Sequence, residues 1–170
     1  MGIITFAFGM GGALANFAGL MHMTMHSLTK SAIFFAVGHV AQVKGTQKIA
    51  DMGGLTETNP LLASGLVLGV MAIAGLPPFG IFMSEFLLIS STFAREPWLA
   101  ILLVFGILVG FGALFLRLNT IVFGEPRGAS AEAKASYLPM FAHLVLVFVA
   151  GIYLPPPVVT WFQNVAKLLG

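Results

Sequence analysis

The 170 residues contain no cysteine. That absence removes disulfides, thiolate zinc sites and cysteine-ligated iron–sulfur clusters from the available chemistry. Charge is nearly as scarce, because Asp, Glu, Lys and Arg together make up 8% of the chain. An ordinary soluble domain carries about a quarter. The net charge of +2 is scattered, and no basic patch interleaved with aromatics appears, so nucleic acid is not an expected partner. A nucleophile–base set and a cofactor fingerprint are also missing, so no catalytic centre and no bound cofactor are expected. The first Lys or Arg is Lys30, which leaves the amino terminus without the basic region that opens a signal peptide.

What is present is apolar. Hydrophobic residues make up 58% of the sequence, and the mean hydropathy is +0.99. A small soluble domain buries only about two-thirds of the surface its unfolded chain exposes, so this much apolar surface belongs in lipid. The pattern predicts an all-α, polytopic transmembrane bundle. After a short apolar stub at 1–10, five segments follow, at about 13–42, 60–76, 81–93, 98–123 and 137–154. The first is about 45 Å long at 1.5 Å per residue, so it must tilt, protrude or be interrupted. A polar loop from Lys44 to Asn59 follows, and Pro60 suits a helix start with Thr58 or Asn59 as its cap. Pro77 and Pro78 then remove two backbone donors and mark a helix break. Inside a bilayer such a break is tolerated where it is buried or faces a water-filled cavity, and short Pro/Gly-interrupted segments typify discontinuous transporter helices. Trp98, Tyr137, Tyr153 and Trp161 lie at segment ends, like an aromatic belt, and 158–169 reads as an interfacial tail. If each segment crosses in turn, Lys44, Lys48, Arg95 and Lys167 fall on one side and Arg127 and Lys134 on the other, too weak a bias to orient the bundle.

Several polar residues interrupt these segments. His22, His26 and Lys30 recur every fourth residue, within a helical arc of about 80°. Intramembrane ionisable groups are costly and usually face a cavity, and histidine and desolvated lysine both change charge at modest energy. Thr24, Ser27, Thr29 or water would bridge the gaps between them. A metal is not expected on the two histidines, since no carboxylate lies near and Lys30 would repel a cation. Glu85 is the only carboxylate between Pro60 and Phe93 and follows the proline break; it belongs either to a proton pathway or to an ion pair that locks helices together. His39 lies about opposite Lys30 on the same helix, as a further pathway candidate or an interface residue, and His143 reads as interfacial.

These residues carry a resemblance. The run from His22 through Lys30 to Gly38 resembles the lysine-bearing tenth helix of antiporter-like proton-pumping subunits. Asp51-Met-Gly-Gly-Leu55 resembles the loop after it, Gly75-Leu-Pro-Pro-Phe-Gly80 with Ser84-Glu85-Phe86 the broken twelfth helix, and Phe123-Gly124-Glu125 the end of the thirteenth. The family comprises subunits of NADH:quinone oxidoreductase, Mrp sodium/proton antiporters and group 4 membrane hydrogenases, and the wording is nearest its hydrogenase-4 component F branch. The resemblance implies about half of an inverted-repeat fold. Residues 1–12 would be the truncated end of a helix, 13–124 the second-repeat channel helices, and 125–170 the last transmembrane helix and its tail. Lys30 would be the buried lysine of that repeat and Glu85 its terminal protonatable residue, with His22 and His26 leading to the lysine. The implied function is proton translocation within a redox-driven hydrogenase or complex I-like assembly, with other membrane subunits as partners. A sodium/proton antiporter subunit and a purely structural anchor, in which Lys30 and Glu85 pair, are the alternatives.

Overall fold

The computed structural model describes residues 1–131 and 135–169. They fold as α1 (Gly2–Met10), α2 (Ala13–Lys44), a 3₁₀ turn (Ile49–Asp51), α3 (Leu55–Thr58), α4 (Pro60–Ile73), α5 (Gly80–Arg95), α6 (Pro97–Val122), α7 (Leu138–Ile152) and α8 (Pro156–Leu168). Each of the five apolar segments holds a helix, and among the described residues the sole β-type pairing is an isolated bridge between Gly53 and Arg127. Proline stands in the first turn of α4, α6, α7 and α8, where its missing N–H is no loss and its fixed φ favours the helix. Asn59 occupies the cap position of α4 without a side-chain cap bond; its Nδ2 instead donates to Ala131 O at 3.2 Å.

Helix α2 is the axis, touching α1, α4, α5, α7 and α8. It runs uninterrupted for 32 residues and stops at Gly45, whose φ of 67° supplies the left-handed C-cap. Small residues on its buried faces, Ala15, Ala18, Ala32 and Ala36 among them, let neighbouring backbones approach closely. Its second half joins α4, α6 and α7 in one apolar cluster around Leu62, Leu66, Leu118 and Met140. Its first half packs with α5 and α8 through Met21, Met25, Ile81 and Phe162.

The most apolar helix is the least covered. Over its most apolar stretch α6 has a mean hydropathy of 2.8, with 6% of that stretch buried. In water the hydrophobic effect would drive such a surface inward; outward-facing, it matches a bilayer, where a helix satisfies its own backbone. The protein is an integral membrane protein.

Two loops assigned to opposite sides by alternation lie together. Arg127 N donates to Gly53 O at 3.4 Å and Ala129 N to Lys44 O at 3.1 Å. Thr56 Oγ1 donates to Val122 O at 2.9 Å. At the other end, Arg95 Nη1 donates to Met10 O at 2.7 Å and to Gly11 O at 2.6 Å. The alternation therefore needs correcting: Lys44, Lys48 and Arg127 share one end of the bundle and Arg95 lies at the other, while Lys134 is outside the described residues. The reason is that α4 and α5 are two halves of one traverse, not two crossings.

Between those halves the chain leaves the helix from Ala74 to Phe79, with Gly75 at φ +71° and a cis bond joining Pro77 and Pro78. Pro77 and Pro78 are exposed within this chain, whereas Phe79 and Gly80 at the end of the break are buried. A Cβ on Gly151 of α7 would fall onto Pro78 O, and one on Gly80 would come within 2.6 Å of Met25 Sδ in α2. The freed backbone is partly re-satisfied locally, with Gly75 N donating to Ala72 O and Leu76 N to Met71 O.

Candidate functional site

Along α2 each four-residue step advances about 40° around the axis, so a stripe of such steps slowly rotates. His22 is accordingly buried (3% exposed), His26 half-buried and Lys30 exposed. The His22 and His26 rings stack with centroids 5.7 Å apart and planes 22° from parallel. His22 Nδ1 lies 2.9 Å from Ser84 Oγ on α5, and that hydroxyl donates to Ile81 O at 2.7 Å. Lys30 is not buried within this chain; its Nζ lies 5.9 Å from the centre of the Phe34 ring, on the outer face of α2.

The neighbouring hydroxyls do not bridge the stripe with their protons. Thr24 donates to Leu20 O, Ser27 to Met23 O and Thr29 to Met25 O, at 2.8–3.0 Å. This back-bonding to the preceding turn occupies the single proton each hydroxyl has.

Glu85 sits in the second turn of α5. Adjacent residues on a helix point about 100° apart, so Ser84 faces α2 while Glu85 faces elsewhere. Its side chain lies against the break, where a Cβ on Gly75 would land on Oε2. It also lines a cavity of about 380 Å³ between α1, the end of α4 and α6, with Phe6, Ile73, Leu103, Gly106 and Gly110 as neighbours in the wall. It is 7% exposed, yet among the described residues no hydrogen bond or ion pair reaches its carboxylate. Lys30 and Glu85 therefore do not pair within the described residues, and the helix-locking alternative loses the contact it requires.

His39 is a separate feature. It is buried on the α7 side of α2, its ring edge-on to Tyr137 with centroids 4.9 Å apart. Its Nδ1 has no partner among the described residues. Seventeen residues separate it from His22, roughly 25 Å along the helix, so the structure does not bring it to the stacked pair. His143 donates from Nδ1 to Pro139 O at 2.7 Å and stands apart from both.

Ser84 and Lys44 are among the buried polar residues whose placement sequence reasoning missed. Ser84 carried a faint signal in its place one residue before Glu85, but its pairing with His22 depends on how α5 lies on α2. Lys44 was read as a loop cation. It is 2% exposed and donates to Thr58 Oγ1 at 3.2 Å. A lysine just before a glycine C-cap was its available signal.

The family model described as NADH:quinone oxidoreductase/Mrp antiporter, TM matches residues 1–110. A protein of Methylacidiphilum infernorum named hydrogenase-4 component F homolog is 64% identical over 169 residues, which is 99% of this chain and 36% of that protein. Among solved structures, a chain of the Mrp complex from Dietzia sp. superposes with a TM-score of 0.77 at 19% identity, covering 98% of this chain and 39% of that one. A chain of respiratory complex I from Thermus thermophilus gives 0.66 at 21% identity, covering 99% and 44%. These two likenesses concern the fold. In each comparison the chain spans less than half the length of its counterpart.

Proposed function

Because the chain belongs to the NADH:quinone oxidoreductase/Mrp antiporter transmembrane family, we propose that it forms part of a proton-translocating, multi-pass subunit of a redox-driven complex in the bacterial inner membrane. The observation that carries this reading is Glu85, which is buried beside a mid-bundle helix break with no bonding partner among the described residues. A carboxylate that pairs with no other helix among the described residues gains nothing from them to offset its desolvation, and intramembrane ionisable groups of that kind mark ion and proton paths. The stacked His22 and His26 supply two more protonatable rings on the other side of α5.

The pathway we propose runs among Lys30, His26, His22 and Glu85, with transient water across the gaps. Lys30 at the outer face of α2 is the entry, and a lysine there calls for a polar cover. Another membrane subunit or segment of the hydrogenase or complex I-like assembly would provide it. His39, remote and edge-on to Tyr137, is the weakest member and stands outside the direct path. Redox chemistry belongs to the partners, whose charge changes would drive proton movement along this path.

Lys30→Ala or Glu85→Gln, introduced into the intact membrane complex, is expected to lower proton translocation several-fold with assembly unchanged. Normal proton uptake by vesicles carrying either variant would refute the proposal. The same vesicles, assayed with and without sodium, separate proton pumping from sodium/proton exchange.

A further inference from the structure

The bond between α2 and α5 has a direction. Ser84 has one hydroxyl proton, and it is directed to Ile81 O, which can only accept. The same oxygen lies 2.9 Å from His22 Nδ1. A hydrogen bond there needs a proton from the ring, since the hydroxyl has none left. His22 therefore carries its proton on Nδ1, donated to Ser84 Oγ, and in the neutral ring Nε2 keeps its lone pair. Both groups are walled off from bulk solvent, with His22 3% and Ser84 0% exposed, so water does not compete readily for either bond.

From this geometry we infer that Ser84 is a positioning residue that fixes the tautomer of His22 and makes it a proton carrier with a single port. The inference deepens the proton-pathway reading and rests on it. A proton arriving at Nε2 converts the ring to an imidazolium with both nitrogens protonated. Loss of the Nδ1 proton to Ser84 would require the hydroxyl to pass its own proton to Ile81 O, and a backbone carbonyl has no onward acceptor. The proton therefore leaves by Nε2, the nitrogen it entered. His22 takes up and releases its proton at Nε2 and does not conduct one through Ser84. Transfer to Glu85 must then bypass Ser84, although the two residues are adjacent in sequence. Ile81 O belongs to the first turn after the break, so a shift of that turn would release the hydroxyl and open the second port.

The test uses the full chain in lipid with ¹⁵N-labelled histidine, a tractable label because the sequence holds only four histidines. At a pH where the rings are neutral, the signal assigned to His22 by its loss in His22→Gln should show a protonated Nδ1 and a bare Nε2. In Ser84→Ala that preference should collapse to a mixture, and in Ser84→Thr, which keeps the hydroxyl, it should return. In the intact complex, proton translocation should fall several-fold in Ser84→Ala and recover in Ser84→Thr. A wild-type His22 protonated on Nε2 overturns the inference, as does a tautomer indifferent to Ser84→Ala, and neither result touches the Glu85→Gln test. Normal translocation in Glu85→Gln would instead remove the pathway on which this role depends.

Discussion

At the scale of single residues, the site depends on how tightly Glu85 is held against the break. Gly75 combines a left-handed φ with a position where any side chain would strike the Glu85 carboxylate. Gly75→Ala is expected to destabilise the protein by about 1–3 kcal/mol, the usual cost of forcing a non-glycine residue into such a conformation. A thermal melt in detergent measures it, and an unchanged midpoint would show that Glu85 does not pack there. The residue types at the site were legible in the sequence, because ionisable groups in apolar runs announce themselves. Their facing was not. Lys30 and His22 belong to one stripe, yet one is exposed and the other buried, since the stripe drifts around the helix faster than a neighbouring helix is wide.

Helices bring those residues together, and two of the smaller ones are held by identifiable contacts. Arg95 ties the end of α5 to the carbonyls of Met10 and Gly11, and α1 forms one wall of the cavity that Glu85 lines. Arg95→Gln should speed amide hydrogen exchange across α1 while leaving the middle of α2 protected; unchanged exchange in α1 would mean that the latch has no mechanical role. Helix α8 turns 78° from α7 and docks on the start of α2 through Phe162, whose ring meets Phe17 edge-on at 5.9 Å. Phe162 is 1% exposed, so Phe162→Ala is expected to cost about 3–5 kcal/mol, read as a loss of melting temperature. Helix starts were the most legible elements, because proline and glycine act locally at each end. The tail read from sequence as interfacial lies partly inside the bundle, since an amphipathic pattern names an apolar face without naming what covers it.

On the scale of the molecule, the absence of cysteine offers a direct check of the topology, since any introduced thiol is unique. Lys48→Cys and Arg127→Cys should label with a membrane-impermeant reagent from one side of the membrane, and Glu96→Cys from the other. Labelling of Lys48→Cys and Arg127→Cys from opposite sides would restore simple alternation and contradict the pairing of their loops. Composition by itself determined the lipid environment, the all-α class and the set of protonatable residues. These follow from hydropathy and from interactions within a turn or two of helix, which any stretch of sequence displays. Tertiary structure alone decided that α4 and α5 make one traverse, that Lys30 faces outward, and that His22 is bound by Ser84. That last bond joins residues 62 positions apart. Contacts of such range depend on the rotation and depth at which two helices pack, and a local pattern of residues does not encode either.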